Sequence, residues 1–477
     1  MENAESKKII CIDLDYTLIS TDILIDQILS FIKSNPFRIF TLLFWLLKSK
    51  QYLKEKLLEA TEIDIQKLPF RSEVLEFVAK AKQNNSKIVL VTATNQKIAK
   101  KINERLGIFD EVFGSLKDRK LKGKNKAKFL EQKFGAQQFD YIGDSISDFP
   151  IWKIARNAFL VSNSNFMNFI LRRKNNFRGC LLNYKTKFKD FLQLIRIHQW
   201  IKNLLVFFPL ILAHQFTNFP AIVNSILAFI SFSMLASSLY IFNDIVDVDN
   251  DRRHPTKKNR PIASGIFSVY TAFFISLSLL IIAFALSLKI NSNFTIVCAM
   301  YLILSLIYSF WIKKVQVVDI FLLSLFYVVR LYAGSIATEI SISNWLLAFS
   351  MFFFLSLATF KRMADLKLVN SNATNNGALH PNEDVIQFFQ NFGIGSSFAS
   401  VIVFILYINS EKVLQLYQHP SFLWADAFLL LLWLMLVWNL ASKGKIEYDP
   451  VLVTVRNPYL ILLELIMIVV WAMAIVL

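Results

Sequence analysis

Cysteine is scarce in this 477-residue sequence, with thiols only at Cys11, Cys180 and Cys298. These residues form no CxxC pair, so neither a zinc site nor a disulfide framework is indicated. The opening residues MENAESKKII lack the apolar core of a signal peptide, and we expect the N-terminus to stay in the cytoplasm. An early apolar run, IFTLLFWLLKS at 39–49, is too short to cross a bilayer. It predicts a helix of the first domain, whose contact with the membrane surface the sequence leaves open.

Apolar residues dominate the rest of the composition, with 55% hydrophobic residues and 45 phenylalanines. That composition is too apolar for a soluble enzyme of this size and indicates a membrane protein, at least in part. The net charge of +17 could suit a nucleic-acid binder. The basic residues, however, follow the ends of apolar segments, so nucleic acid is not an expected partner.

The first half of the chain alternates charged and apolar segments in the manner of an α/β protein. Short β-type runs each end in polar residues, and helical patterns lie between them, which predicts a Rossmann-type parallel sheet with crossover helices. We place this domain at 1–170 and a basic linker at 171–192. The β-type runs are KKIICIDLD (7–15), SKIVLVTAT (86–94) and FDYIGDS (139–145).

The second half, 193–477, reads as an all-α membrane domain. Its apolar segments are long enough to cross a bilayer and follow one another closely. They predict a bundle of nine transmembrane helices. The predicted spans are 199–218, 221–243, 269–288, 294–311, 317–337, 344–361, 390–409, 421–441 and 457–477.

Basic residues are concentrated in the loops on one side of these spans. By the positive-inside rule that side is cytoplasmic. We therefore expect a multi-pass protein of the plasma (inner) membrane, with the N-terminal domain in the cytoplasm and the C-terminus outside. The bases are Arg252, Arg253, Lys257, Lys258 and Arg260, then Lys313 and Lys314, then Lys361, Arg362 and Lys367, then Lys443, Lys445 and Arg456.

Carboxylates, hydroxyls and a lysine follow successive strand ends in the first half. Strand ends at one edge of a parallel sheet are where such folds bind ligands. This set suits phosphoryl transfer, in which an aspartate attacks phosphorus, Mg²⁺ offsets the charge, and a lysine and a hydroxyl hold the phosphate. The candidates are Asp13, Asp15, Thr92, Thr94, Lys126, Asp144 and Asp148.

The set resembles the haloacid dehalogenase-like (HAD) phosphatases. DLDYT, VTAT, GKNKAKFL and GDSISD match four motifs of that family in the family's order. The resemblance implies Asp13 as nucleophile, Asp15 as general acid/base, and Thr92 and Lys126 as phosphate ligands. It also implies that Asp13, Asp15 and Asp144 bind Mg²⁺. Asp148 would be a further catalytic residue, and residues from about 18 to 85 would form a helical cap.

A second acidic group lies at the end of a predicted membrane helix. Asn243, Asp247 and Asp251 are spaced four apart, which places them along one helix face. Such oxygen ligands suit Mg²⁺ bound to substrate phosphates, and carboxylates at a membrane boundary indicate a functional site. Asp244 and Asp249 face elsewhere and are interpreted as capping or solvated residues.

Basic residues follow this acidic row directly. His254 and Pro255 are expected to end the helix, and Lys257, Lys258 and Arg260 come next in a loop. Metal on one side and cations on the other would grip a diphosphate. The alternative, that the bases only mark the cytoplasmic side, stays open, but it does not explain the acidic row beside them.

Further candidate substrate ligands lie at other predicted helix ends. Asp319 and Arg330 fall within apolar runs, where an unpaired charge is costly. For the others, snorkelling or a topological signal is an equal alternative. The set is Lys202, Asn203, Tyr308, Lys313, Asp319, Arg330, Lys361 and Arg362.

NDIVDVDND and the nine predicted helices resemble the UbiA superfamily of intramembrane prenyltransferases. QWIKN, DRRHPTKKNRPIASG, YSFWIKKVQVVD and KRMADL resemble one branch more closely, the polyprenyl-phosphate phosphoribosyltransferases, although Asp365 replaces a glutamate. That branch implies Mg²⁺, phosphoribosyl diphosphate (PRPP) as donor and a polyprenyl phosphate, such as decaprenyl phosphate, as acceptor. The phosphatase domain would then remove the 5-phosphate of the product, so that the protein is bifunctional.

Two other functions stay open at this point. One is a prenyltransferase that joins a polyprenyl diphosphate to an aromatic acceptor in quinone or haem biosynthesis. The other is a membrane transporter with a regulatory HAD-like module, although transporters place their charged sites near the bilayer midplane. The sequence gives neither the lipid length nor the oligomeric state.

Overall fold

The computed structural model describes residues 7–116, 118–162, 165–182, 186–373, 383–442 and 457–476. The chain forms two compact units. Unit 1 comprises Met1–Ile197 and Tyr240–Leu277, and unit 2 comprises His198–Leu239 and Ser278–Leu477. Three of the bases used for the side assignment, Lys443, Lys445 and Arg456, lie outside the described residues.

A six-stranded sheet forms the centre of unit 1. All of its strands are parallel and follow the order β3-β2-β1-β4-β5-β6, as the alternating pattern predicts. The sixth strand lies within the predicted linker 171–192, so that segment belongs in part to the sheet. The strands are β1 (Ile9–Ile12), β2 (Lys87–Asn95), β3 (Glu111–Ser115), β4 (Phe139–Gly143), β5 (Asn157–Leu160) and β6 (Phe177–Cys180).

Helices cover both faces of this sheet. Apolar side chains of β1, β2 and β4 alternate between two buried clusters, as expected for a parallel sheet with two covered faces. The helices of the first 197 residues are α1 (Ile23–Ser34), α2 (Arg38–Lys48), α3 (Lys50–Ala60), α4 (Ser72–Gln83), α5 (Gln96–Leu106), α6 (Lys124–Phe134), α7 (Phe149–Ile154), α8 (Asn165–Arg172) and α9 (Phe188–Leu194).

The helices α1, α2 and α3 form a small core of their own around Phe31, Leu42 and Leu57. The helix α4, by contrast, packs on the sheet through Val74 and Val78. The helices with a separate core therefore cover a shorter stretch than the predicted cap at 18–85. The early apolar run is the helix α2, as predicted.

Long apolar helices make up most of the remaining chain. By length and composition, eight described helices could cross a membrane, or up to nine if a pair bent by 54° near 195 counts as one span. They indicate a multi-pass membrane protein. The helices after α9 are α10 (Phe208–Leu212), α11 (Phe219–Val246), α12 (Val248–Arg253), α13 (Val269–Ile290), α14 (Ser292–Phe310), α15 (Val318–Thr338), α16 (Asn344–Ala373), α17 (Glu383–Ile408), α18 (Glu411–Leu416), α19 (Phe422–Ser442) and α20 (Pro458–Val476).

The predicted first span, 199–218, differs most from the structure. Residues Ile197–Phe207 form a 3₁₀ helix and are followed by the short helix α10, which begins at Phe208 with a proline in its first turn. Proline favours the start of a helix over its interior, because it lacks the amide hydrogen that an interior bond needs. The segment therefore changes from a 3₁₀ helix to an α-helix at Phe208 and ends at Leu212, before the predicted end at 218.

Candidate active sites

The first candidate site lies at the carboxyl edge of the sheet in unit 1. Asp13 directly follows β1, and one of its oxygens accepts a 2.8 Å hydrogen bond from the amide of Leu14. The other oxygen lies 2.7 Å from Nζ of Lys126, which is buried in the first turn of α6. Burial alone would lower the pKa of Lys126, but Asp13 and Asp148 outweigh it and raise the pKa. Lys126 is therefore held in its charged form beside Asp13.

Two further carboxylates complete this cluster from the loop after β4. Asp148 is buried, accepts a 2.9 Å hydrogen bond from the Tyr141 hydroxyl, and lies 4.0 Å from Lys126. Asp148 also accepts bonds from the amides of Asp144 and Ser145, which fix the loop. Burial and neighbouring carboxylates raise the pKa of both Asp144 and Asp148.

Asp15 is held by two hydrogen bonds on the other side of the turn after β1. It accepts bonds from the amide of Ile23 at 3.0 Å and from the Thr94 hydroxyl at 2.8 Å. Burial and the nearby Asp22 raise the pKa of Asp15 to about 7. Tyr16 directly follows Asp15. Its backbone φ is 56°, so the chain turns sharply at this residue.

Thr92 is buried at the end of β2, and its hydroxyl accepts a 3.0 Å bond from the amide of Thr94. The predicted residues Asp13, Lys126, Asp144 and Asp148 are thus brought together by direct contacts. Thr94, which lies on β2 like Thr92, bonds to both Thr92 and Asp15.

The acidic residues of this cluster fit a divalent cation. Asp13, Asp144 and Asp148 offer carboxylate oxygens that all lie within 4.8 Å of one another, which no other group of His, Cys, Asp or Glu does in the described chain. Asp13 and Asp148 are buried and Asp144 is half-buried, and one lysine can balance only one of the three in its charged form. An Mg²⁺ ion would offset the charge of the others. Asp15 lies outside this group, although the resemblance to the HAD phosphatases implies it as a metal ligand.

Two residues near the cluster were not predicted. Tyr141 donates to Asp148 and accepts from Lys126 at 3.1 Å, but in the sequence it reads as an ordinary strand aromatic. Arg71 precedes α4 and has a buried Nε with no hydrogen-bond partner among the described residues. Burial lowers the pKa of Arg71, and the charges of Glu73 and Asp144 oppose that shift. Neither residue belongs to a motif, so no sequence signal could have found them.

The second candidate site is the acidic row at the end of α11, also in unit 1. Backbone bonds of 2.9 Å join the amide of Asp247 to Asn243 and the amide of Asp251 to Asp247, so the predicted four-residue spacing is helical. The helix ends at Arg253, directly before His254 and Pro255, as predicted. Asn243 therefore lies near the end of α11, Asp247 lies between the two helices, and Asp251 lies in α12.

The carboxylates of this site are paired with cations of the chain. Arg260 lies 2.6 Å from Asp251 and 2.9 Å from Asp244, and Arg196 also bonds to Asp244. Burial raises the pKa of Asp251, although Arg260 acts in the opposite direction. Asp247 is partly exposed and lies 3.5 Å from Lys33 of α1. Unlike the sheet-edge cluster, this group already contains the positive charge that its aspartates need.

The interpretation of Asp244 and Asp249 as capping or solvated residues is wrong for Asp244. Its side chain is buried and bonds to two arginines, because the loop folds Arg260 back against the end of α11. Asp249 is about one third exposed and lies 3.3 Å from Arg252. Lys257 and Lys258 are exposed in a short 3₁₀ turn, where a soluble anion could reach them.

In unit 2, Arg330 is buried among aromatic rings. Its guanidinium donates to the Asn203 side chain, the Tyr301 hydroxyl and the carbonyl of Phe326, at 2.6 to 2.7 Å. The Asn203 amide in turn donates to Ser233 at 3.0 Å. These contacts make Arg330 and Asn203 a structural pair within the bundle, and their predicted role in substrate binding stays a prediction.

Another polar group of unit 2 includes Asp319 and Arg362. Asp319 is buried in the first turn of α15, 3.8 Å from the Arg362 guanidinium, and the Nε of Arg362 has no hydrogen-bond partner among the described residues. Tyr308 packs edge-on against Phe326 at 5.7 Å. The structure places the other candidates as follows: Lys202 is half-buried 6.0 Å from the Tyr327 ring, Lys361 is half-buried, and Lys313 is exposed.

Known families match both halves of the chain. Residues 10–153 match the haloacid dehalogenase-like hydrolases, and residues 204–372 match the UbiA prenyltransferase family. The chain therefore contains a HAD-like domain followed by a UbiA-family domain. It belongs to the same family as protein y4nM of Sinorhizobium fredii, an uncharacterized protein with 32% identity over 455 residues. That alignment covers 94% of this chain and 87% of y4nM.

Other relatives match the second half alone. Decaprenyl-phosphate phosphoribosyltransferase of Mycolicibacterium smegmatis is 37% identical over 180 residues, which cover 36% of this chain and 56% of that enzyme. The chain thus spans just over half of that relative's length. A UbiA homolog from Archaeoglobus fulgidus, solved with GPP and Mg²⁺, is 17% identical with a TM-score of 0.43, over 59% of this chain and 97% of that one.

Proposed function

We propose that this protein transfers phosphoribosyl from PRPP to a polyprenyl phosphate and then removes the 5-phosphate of the product. The transferase assignment depends mainly on the 37% identity to a decaprenyl-phosphate phosphoribosyltransferase. The phosphatase assignment depends on the contact between Asp13 and Lys126 inside an acidic cluster. The order of the domains along one chain is the reason for joining the two reactions.

For the transfer, an oxygen of the lipid phosphate attacks C1 of the ribose and the bond from C1 to diphosphate breaks. Diphosphate leaves as an anion, so the site must supply positive charge to it. Lys257 and Lys258 are exposed and carry that charge, while Arg260 is held by Asp244 and Asp251. Mg²⁺, when bound by Asn243, Asp247 and Asp251, would supply further charge stabilisation.

For the phosphatase reaction, a carboxylate oxygen of Asp13 attacks the phosphorus of the 5-phosphate. The ester oxygen leaves with a proton from Asp15, and water then hydrolyses the aspartyl phosphate to release inorganic phosphate. Lys126 and Thr92 hold the phosphate oxygens. Mg²⁺ at Asp13, Asp144 and Asp148 would offset the negative charge that these carboxylates and the phosphate bring together.

The test is product identification from purified full-length protein in lipid nanodiscs. With Mg²⁺, labelled PRPP and decaprenyl phosphate, we expect a labelled lipid that lacks the 5-phosphate. Parallel reactions with a polyprenyl diphosphate and labelled 4-hydroxybenzoate test the aromatic prenyltransferase. A labelled lipid only in those reactions would refute the phosphoribosyl transfer, and a product that keeps its 5-phosphate would refute the phosphatase role.

A further inference from the structure

The helix α2 of unit 1 is apolar and largely exposed. Its sequence RIFTLLFWLLK buries only Leu42, which packs with the core of α1 and α3. Phe40 is 67% exposed and Leu47 is 86% exposed. Exposed apolar patches of this extent mark sites that contact a protein or a membrane. The remaining exposed apolar side chains of this surface are Phe37, Ile39, Leu43, Phe44 and Leu46.

Positive charge borders this surface on both sides. Between Asp26 and Glu55 the sequence contains no acidic residue. Five basic residues fall in the same stretch, and Nζ of Lys48 lies 4.8 Å from the Phe44 ring. Basic residues around an apolar helix suit the anionic headgroups of a bilayer and the acyl chains beneath them. The five are Lys33, Arg38, Lys48, Lys50 and Lys54.

The position of α2 in unit 1 favours a membrane over a soluble partner. Lys33, in the last turn of α1, lies 3.5 Å from Asp247, one residue beyond the apolar helix Phe219–Val246. The helix α2 begins only five residues after Lys33. A second contact, 3.2 Å between Arg252 and Asp26, joins α1 to α12, the short helix that follows. The exposed surface therefore starts close to the end of a helix that is long enough to cross a membrane.

We propose that α2 lies in the bilayer interface, with its exposed apolar residues among the acyl chains next to the end of Phe219–Val246. Its 11 residues extend about 16 Å, roughly half of the hydrocarbon thickness, so the helix lies along the surface and does not cross it. The partner of this surface is the lipid of the membrane in which the same chain is embedded.

The experiment places a fluorophore on α2 of the full-length protein in nanodiscs with anionic lipid. In a Cys180→Ser background, where Cys11 and Cys298 are buried, bimane is attached to Leu47→Cys or Phe40→Cys. The expected result is loss of emission with lipids brominated on their acyl chains, and protection from iodide in the water phase. The matched control is a label at Lys128→Cys, on an exposed position of α6, which should show the opposite pattern.

Two outcomes would overturn the proposal. If iodide quenches both α2 labels and brominated lipid does not, the surface faces water. If neither quencher acts, a second copy or another protein covers it. Two label positions are used so that a local disturbance by one fluorophore does not decide the result.

A second measurement deepens the proposed function and depends on it. The variant Leu43→Ser/Leu47→Ser should lower the hydrolysis of a phosphoribosyl lipid, while hydrolysis of a small soluble phosphate ester stays unchanged. If the parent protein hydrolyses neither substrate, the proposed phosphatase role fails, and the fluorophore experiment still decides the position of α2. Equal loss on both substrates would contradict the lipid-specific role.

Discussion

Two groups of aspartates in unit 1 differ in how their negative charge is balanced. At the sheet edge, Asp13, Asp144 and Asp148 lie around one buried lysine, and burial raises the pKa of both Asp144 and Asp148. At the end of α11, Asp244 and Asp251 share Arg260, and Arg196 adds a second guanidinium. The first group is arranged to receive a cation, whereas the second already has internal partners.

The comparison shows that two groups of closely spaced aspartates can differ in whether side chains of the protein already pair with their carboxylates. A buried carboxylate without a cation is costly, so an excess of carboxylates indicates a ligand that supplies charge. Where an arginine already pairs with a carboxylate, a metal ion must displace that arginine or bind to residues outside the ion pair. At the end of α11 that residue is Asp247, whose partner Lys33 is a partly exposed lysine 3.5 Å away.

The largest expected effect is on the sheet-edge cluster. Asp13→Asn removes the proposed nucleophile and should lower phosphate release by about a thousandfold or more. Phosphoribosyl transfer should continue, so a lipid that retains its 5-phosphate should accumulate, as measured by mass spectrometry. Asp118→Asn, an exposed aspartate of the same domain, is the control. Unchanged phosphate release in the Asp13 variant would exclude it as nucleophile.

The next effect concerns the ion pairs at the end of α11. Asp244→Asn leaves Arg196 and Arg260 without their shared carboxylate and should lower the free energy of unfolding by about 3 kcal/mol. The measurement is thermal or denaturant unfolding of the detergent-solubilised protein. Asp249→Asn, at a more exposed pair, should cost less than about 1 kcal/mol. Equal losses in the two variants would mean that Asp244 is not the central partner.

A smaller effect is expected for the metal at the second group. Asp247→Asn should raise the Mg²⁺ concentration needed for half-maximal transfer by about tenfold or more. The Mg²⁺ dependence of phosphate release should stay unchanged, because its proposed ligands lie at the sheet edge. Asp249→Asn, off the acidic row, is the matched control. If both variants show the Mg²⁺ requirement of the parent, Asp247 does not hold the metal.

The smallest effect is expected for the partly exposed ion pair between Lys33 and Asp247. Lys33→Gln removes a partly exposed ion pair with Asp247 and should change the free energy of unfolding by less than about 0.5 kcal/mol. Arg252→Gln removes a buried pair with Asp26 and should cost several times more, as measured in the same unfolding assay. If Lys33→Gln lowers the free energy of unfolding more than Arg252→Gln does, the exposed ion pair stabilises the fold more than the buried one, contrary to this prediction.

The sequence predicted the sheet, the apolar helices after the first predicted span and the end of α12 correctly, because each depends on a local pattern. Strand ends in a parallel sheet converge on one edge, so the sequence alone was enough to group Asp13, Lys126 and Asp148. The site roles of these residues stay predictions that the variants above test. Tyr141 and Arg71 escaped this reasoning because an aromatic in a strand and an arginine before a helix are common in any fold.

The sequence by itself determined which residues bear charge, how they are spaced and which segments are long enough to cross a membrane. Only the tertiary structure decided which charges meet. Arg196 and Arg260 are far apart in sequence, and folding brings both to Asp244. Ion pairing depends on distances of a few ångströms that local patterns do not encode. For the same reason the exposure of α2 became visible only once its neighbours were packed, and Leu42 was the one apolar side chain they buried.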